Sequence, residues 1–160
     1  EIASCLVGSE MCIRDRHSTE CQDIDTGVIE QNRSLLMAAT TTGPGFISFQ
    51  VRDRAVSAEF YDKLVGLTRL PDSNPAATVF SAEGTAFAVR DPFPGVDLDA
   101  IPQLGAGIGV WFRNDDAERV HARLVDAGVA IVQEPVEGPF GLQFSFRDPD
   151  GYVVTIHARA

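Results

Sequence analysis

The chain has 160 residues, a formal net charge of -10 and 44% hydrophobic residues. An acidic protein without a basic stripe is a poor candidate for binding nucleic acid or anionic membranes. Because no apolar run approaches the roughly 18–20 residues that span a bilayer, we expect a cytoplasmic protein without a membrane partner.

The first 36 residues differ from the rest of the chain. Residues 4–16 resemble a translated sequencing-adapter read-through and show neither helical nor strand periodicity. All three cysteines lie in this leader, which leaves the rest without a disulfide or a thiolate metal site. We therefore expect residues 1–36 to be a non-native or disordered leader and residues 37–160 to form a single domain. A signal peptide is the alternative, but the basic residues follow the apolar ones instead of preceding them.

The domain begins with a strand and a helix. Residues 46–51 alternate, with Ile47, Phe49 and Val51 on one face and Phe46, Ser48 and Gln50 on the other. Asp53 is a good N-cap for an amphipathic helix that ends at Gly66. Residues 78–89 then predict a hairpin that turns at Glu83-Gly84.

A second copy of this plan follows. Residues 109–149 repeat residues 45–92, and both copies close on Arg-Asp-Pro. Asp115 and Glu118 predict a capping box at the second helix, and the connection has at most a short strand near Leu98. Two such units cannot each bury a sheet face alone, so we expect them to pair and enclose a concave surface.

An ordered set of motifs carries a family resemblance. The motifs are Val51-Arg52-Asp53, Phe60-Tyr61, Leu64-x-Gly66-Leu67, Leu124-x-x-x-Gly128-Val129 and Arg147-Asp148-Pro149-Asp150-Gly151. At these spacings the chain resembles the vicinal-oxygen-chelate superfamily, which includes glyoxalase I, bleomycin-resistance proteins and extradiol dioxygenases. The resemblance implies an α+β fold in which two βαβββ modules, about 45–100 and 107–158, form an open eight-stranded cup. It also implies a homodimer.

The resemblance raises the question of a metal. In metal-using relatives, His, Gln or Glu side chains project into the cup from the first and last strands of each module. At these four positions this chain has Phe46, Leu98, Gly109 and Thr155. Three of these residues offer no side-chain donor and threonine is a poor ligand, so we expect neither a metal nor another cofactor.

Two side chains are candidates for the chemistry of the cup. His157 lies two residues after Thr155 and shares its side of the strand, where it can donate a proton or hydrogen-bond a ligand. The alternative is a hydrogen-bonded histidine at the rim. Trp111 lies two residues after Gly109, whose missing side chain leaves room for a planar ligand to stack on the indole. The alternative is a core aromatic that fills that space.

The expected ligand site comprises Phe46, Ser48, Gln50, Trp111, Phe144, Thr155 and His157. Phe144 is included by pairing across the turn at residues 148–151. We expect a metal-free protein of the bleomycin-resistance type that binds a small, partly aromatic molecule, such as a cationic antibiotic that it sequesters. The alternative is a lyase, isomerase or related enzyme with His157 as acid or base. A third class is a structural or regulatory module whose cup is filled by its own side chains.

Overall fold

A computed structural model of the chain describes residues 41, 43–71, 74–82 and 84–158. The expected leader, residues 1–36, lies outside these ranges. The residues from Gly43 onward form one compact unit. Within the described ranges, no helix is both long enough and apolar enough to cross a membrane.

The two halves of this unit have the same element order. The first module contains β1 (Phe46–Gln50), α1 (Arg54–Glu59), a π-helical continuation (Phe60–Val65), β2 (Thr68–Arg69), β3 (Ala77–Ala82) and β4 (Thr85–Arg90). The second contains β5 (Val110–Arg113), α2 (Ala117–Asp126), β6 (Ile131–Gly138), β7 (Gly141–Arg147) and β8 (Val153–His157). The sheet orders are β1-β4-β3-β2 and β5-β8-β7-β6, and the first two strands of each order run parallel. The predicted α+β fold of two βαβββ modules is confirmed.

The helices begin at acidic caps. The Asp53 carboxylate accepts hydrogen bonds from the amides of Ala55 and Val56, at 2.9 and 3.1 Å, as predicted. In the second module the cap is Asp116, which accepts from the Arg119 amide at 3.1 Å. The predicted cap at Asp115 was therefore one residue early. The Asp115 carboxylate instead faces the Arg113 guanidinium, at 3.5 Å.

The structural repeat differs from the repeat of the Arg-Asp-Pro tripeptides. Residues 90–92 begin at the end of β4, which pairs with β1, whereas residues 147–149 begin at the end of β7, the antiparallel neighbour of β8. The counterpart of β4 is thus β8. Leu98 was assigned to a last-strand metal position by counting from the first tripeptide, and this prediction was wrong. It lies buried in the connection at 91–109, a fully described stretch without a strand.

An aromatic core joins the modules. The buried Tyr61 ring lies 4.8 Å from Phe87 of β4 and 6.4 Å from Phe112 of β5, measured between centroids. Phe87 and Phe112 contact each other edge to face at 5.1 Å. Phe49 of β1 stacks on Tyr152 of the second module at 4.1 Å. Each sheet therefore turns one face toward a shared core, and its opposite face is more exposed.

A buried hydrogen bond fastens the first helix to the turn between β7 and β8. The Tyr61 hydroxyl donates to Asp148 Oδ2 at 2.8 Å. The other carboxylate oxygen accepts from the amides of residues 150, 151 and 152 at 3.0, 2.9 and 2.8 Å. Burial raises the pKa of Asp148 and, more strongly, the pKa of Tyr61. The carboxylate thus exchanges its hydration for a set of oriented donors.

A second carboxylate in the same turn extends this joint to the surface. Asp150 Oδ1 accepts from the Arg52 amide at 2.7 Å, and Oδ2 accepts from the Ser57 hydroxyl at 2.9 Å. The Arg52 guanidinium also contacts Asp99 in the connection between the modules, at 2.6 Å. Three separate parts of the chain therefore meet at Arg52.

We expect Tyr61→Phe to lower the free energy of unfolding by about 1–3 kcal/mol, because the Asp148 carboxylate stays buried but loses a donor. Urea unfolding at neutral pH measures this loss. Tyr152→Phe is the matched control, since its hydroxyl donates to the Gln50 carbonyl at 2.9 Å and no charged acceptor is involved. The account is wrong if Tyr61→Phe is no less stable than the control.

The raised pKa of Asp148 predicts a pH dependence of stability. The folded protein holds the Asp148 proton more tightly than the unfolded chain, in which the pKa has its ordinary value of 3.8. The resulting stabilisation is complete below that value and is lost as pH rises through the folded pKa. The stability of the wild type relative to Asp148→Asn should therefore fall as pH rises above 3.8. Paired urea titrations across the acidic range check this sign, and a relative stability that rises with pH would contradict it.

Candidate functional site

Three rings lie together on the more exposed face of the second sheet. They belong to Trp111 on β5, Phe140 in the turn between β6 and β7, and His157 at the end of β8; we call them the aromatic cluster. The ring centroids are 5.9 Å apart for Trp111 and Phe140, 6.1 Å for Trp111 and His157, and 5.7 Å for Phe140 and His157. Trp111 is 45% exposed and Phe140 is 55% exposed. The cluster is therefore a surface of apolar rings that solvent can reach.

Strand register builds the cluster. β5 is an edge strand parallel to β8, with Trp111 opposite Thr155 and Arg113 opposite His157. Side chains at paired positions project to the same face of a sheet, so Trp111 and His157 share one face, as predicted. The hairpin of β6 and β7 then brings Phe140 against both rings.

The indole of Trp111 lies over Gly109. A Cβ atom built on Gly109 would be 3.2 Å from the indole Nε1 and 3.7 Å from Cδ1. The space that the glycine leaves is thus occupied by the tryptophan, and the prediction of a ligand slot there was wrong. The alternative, an aromatic that fills this space, describes the contact, although almost half of the indole stays exposed.

His157 makes few polar contacts. Its ring Nδ1 lies 3.2 Å from the carbonyl oxygen of Ala158, and the side chain is half-buried. Among the described residues, no carboxylate hydrogen-bonds this ring. A general acid or base in proteins usually has such a partner to orient it.

Phe144 does not line this surface, and its predicted place in the site was wrong. It is fully buried, and its ring contacts His121 of α2 at 5.0 Å. The register pairs Phe144 with Ile156 and Ser145 with Thr155, so Ser145 takes the position expected for Phe144. A shift of one residue moves a side chain to the opposite face of the sheet. The hydroxyls of Ser145 and Thr155 bond to each other at 2.8 Å and are both buried.

The predicted residues of β1 lie on the other sheet. Phe46 and Ser48 are exposed and Gln50 is half-buried, all on the face directed away from the core. The Gln50 side-chain oxygen accepts from the Phe93 amide at 2.6 Å. The structure therefore brings together Trp111 and His157 but does not place the β1 residues beside them.

A cleft adjoins the aromatic cluster between the two edge strands β1 and β5. Its volume is about 830 Å³, within the range of pockets for drug-sized molecules. Its lining includes the apolar residues Ile47, Phe87 and Phe112, together with Trp111, His157, Arg113, Asp115 and Asp116. The cluster and the cleft together form one continuous candidate site.

Phe140 and Gln143 were missed by reasoning from the sequence. Phe140 lies within Gly138-Pro139-Phe140-Gly141, and a large apolar residue in a tight turn was a signal that could have indicated it. Gln143 pairs with His157 across the sheet. Its side-chain Oε1 is buried without a hydrogen-bond partner among the described residues. No pattern in the sequence marks this glutamine.

The residues at the superfamily's metal positions do not fit a metal ion. The indole covers Gly109, and the Thr155 hydroxyl is bonded to Ser145. On β4, Ala88 is the counterpart of Thr155, because it pairs with Ser48 as Thr155 pairs with Trp111 on β5. The Ala88 side chain has no donor atom. The described ranges contain no group of three or more His, Cys, Asp or Glu side chains that could hold a metal. The donor set therefore supports no metal-dependent step.

Comparison with known families agrees with this fold. Residues 43–156 match the family model of the Glyoxalase/Bleomycin resistance protein/Dioxygenase superfamily. The chain belongs to this superfamily, and the resemblance seen in its motifs is confirmed.

Two solved structures and one curated protein are similar to this chain over most of its length. The crystal structure of TnmS3, an antibiotic binding protein from Streptomyces sp. CB03234, is 28% identical with a TM-score of 0.60, covering 76% of this chain and 99% of that one. A glyoxalase/bleomycin resistance protein from the same strain is 28% identical with a TM-score of 0.58, covering 72% of this chain and 99% of that one. The anthracycline biosynthesis protein DnrV from Streptomyces peucetius is 30% identical over 123 residues, covering 68% of this chain and 44% of DnrV. The chain thus spans less than half the length of this curated relative.

We expect the purified protein to hold no stoichiometric zinc, nickel, iron or manganese, because the metal positions offer only the Thr155 hydroxyl, a poor ligand that is already bonded to Ser145. Elemental analysis after gentle purification measures this. One tightly held transition metal per chain would contradict the prediction and would direct attention to residues away from these strands.

Proposed function

We propose that the protein binds a small planar molecule on the aromatic cluster, without a bound metal. The observation that carries this proposal is the contact of Trp111 with Phe140, two large apolar side chains that each stay about half exposed. Burial of apolar surface favours a complex, and stacked rings add a preference for flat ligands. The cluster offers such surface at a point where His157 supplies a polar group.

The cleft beside the cluster indicates the size and charge of the ligand. Its volume accommodates a drug-sized molecule, and its lining includes Asp115, which pairs with Arg113, and Asp116, which caps α2. The chain as a whole carries a net charge of -10. An acidic protein attracts cations over a distance, so a planar cationic ligand is favoured.

The named relatives support an antibiotic as the ligand. One is an antibiotic binding protein, and another is an anthracycline biosynthesis protein. We propose that this protein likewise holds an antibiotic, and that the biological role of binding is sequestration. This role is carried over from the relatives, and the aromatic cluster supplies a physical means for it.

We also propose that the protein is a homodimer. The predicted site residues of β1 lie on the exposed face of the first sheet, where Phe46 is 55% exposed. The aromatic cluster lies on the exposed face of the second sheet. A second copy of the chain would place a β1 face opposite the cluster and complete the site. Sedimentation velocity tests the oligomeric state, and a chain that sediments only as a monomer would contradict the proposed dimer.

The alternative of a lyase or isomerase depends on His157 as acid or base. In the structure the ring bonds a backbone carbonyl and contacts Trp111 and Phe140. These contacts are sufficient to position the ring for hydrogen bonding. The effects of substituting Trp111 and His157, described next, separate this alternative from the proposed binding.

We expect Trp111→Ala to weaken binding of a planar cationic antibiotic by about 1–3 kcal/mol, because it removes the stacking surface. His157→Ala should cost about 0.5–1.5 kcal/mol, equivalent to one neutral hydrogen bond. Isothermal titration calorimetry with a panel of such antibiotics measures both losses. Val125→Ala, at a side chain of α2 that is 48% exposed, is the control for removal of an exposed apolar group and should bind normally.

A large effect of His157→Ala on turnover, with little effect on affinity, would favour the enzyme. Loss of a general acid or base lowers turnover by roughly 10²–10⁴-fold and changes ligand affinity little. The chain has a single tryptophan, so fluorescence of the wild type reports on Trp111 alone. If no antibiotic quenches that fluorescence and His157→Ala abolishes a measurable turnover, the binding proposal is overturned.

A further inference from the structure

We infer that Gly109 is a positioning residue for the ligand site, and that it acts by giving the Trp111 indole a place to lie. This inference rests on the proposed function for its ligand, but the contact itself belongs to the unliganded protein. The missing side chain at Gly109 allows the indole to lie against the start of β5. The rest of the ring is then held toward Phe140 and His157.

The distances define this contact. A Cβ atom at position 109 would lie 3.2 Å from the indole Nε1, which is closer than ordinary van der Waals contact, and 3.7 Å from Cδ1. Every other amino acid has a Cβ atom, so any substitution crowds the pyrrole edge of the indole. At 3.2 Å the ring must shift by a few tenths of an ångström, and it can shift toward solvent because Trp111 is 45% exposed.

The requirement for glycine is steric and does not come from the backbone. Gly105 and Gly107, in the same connection, have φ angles of 72° and 82°, a region that disfavours other residues. The φ angle of Gly109, in contrast, is not positive. An alanine can therefore adopt its backbone conformation, and the only close heavy atoms it meets belong to Trp111.

The neighbours of the indole explain why its position matters for a ligand. Trp111 meets Phe140 at an interplanar angle of 73° and His157 at 54°, so the three rings form the walls of a corner and do not lie in one plane. A planar ligand that stacks on one ring touches the edge or face of the others. If the indole moves away from position 109, that corner changes shape while all three rings remain present. Gly109 thus contributes to the choice of ligand without contacting it.

The first test uses the full chain without ligand. In Gly109→Ala we expect a red-shifted tryptophan emission and a larger acrylamide quenching constant, because the displaced indole is more exposed. Gly45→Ala is the matched control, since its Cβ would meet no heavy atom within 4 Å and its φ is not positive. Gly45→Ala should melt at or above the wild-type temperature, because alanine reduces the freedom of the unfolded chain, whereas crowding of the indole offsets this gain in Gly109→Ala. A Gly109→Ala chain with wild-type emission and quenching overturns the inference.

The second test measures affinity for an antibiotic that binds the wild type. We expect Gly109→Ala to weaken binding several-fold and Gly45→Ala to leave it unchanged. On a Trp111→Ala background, Gly109→Ala should have no further effect, because the glycine acts through the indole. An additional loss on that background would overturn the inference. If no antibiotic binds, the proposed function fails, and the emission and quenching data still decide the role of Gly109.

Discussion

The hydrogen bond from the Tyr61 hydroxyl to the Asp148 carboxylate is the constraint on which the arrangement of the two modules depends. The carboxylate is buried, so it is stable there only with its full set of donors, three of which are amides of its own turn. The fourth comes from the other module. This bond therefore fixes the turn before β8 against the first helix, inside a core of packed aromatic rings. Asp150 adds contacts to Arg52 and Ser57 at the edge of the same joint.

The position of β8 carries this constraint to the candidate site. Once the turn is fixed, the register with β5 places Thr155 beside Trp111 and His157 beside Arg113. The core face of the same strand buries Val154 and Ile156, so a slip of one residue would expose them and bury the histidine. The site is thus built on paired strands with little freedom, and only Phe140 is supplied by a turn. A surface of this kind is preorganised and needs little ordering when a ligand binds.

The sequence predicted much of the fold because the decisive signals were local. Asp53 caps its helix, Gly66 ends the helical segment with a φ of 91°, and the 148–151 segment forms the predicted turn. The errors came from features that local patterns do not determine. Asp115 and Asp116 are both suitable N-caps by residue type, and the local pattern does not distinguish them. Asp116 caps the helix in the structure, and Asp115 pairs with Arg113. Matching tripeptides gave the wrong strand equivalence because pairing, not local identity, defines the repeat. Phe144 was misplaced by one residue of register, and Phe140 reaches the site only through the hairpin that the structure reveals.

The central claim is that a planar ligand binds at the aromatic cluster, and nuclear magnetic resonance tests it most directly. The chain has one tryptophan, so Trp111 gives a single indole N–H signal. During titration with a planar cationic antibiotic, the account predicts a saturable shift of this signal together with the backbone amides of Phe140 and His157. Saturable shifts confined to residues away from the second sheet, with the indole signal unmoved, would contradict it.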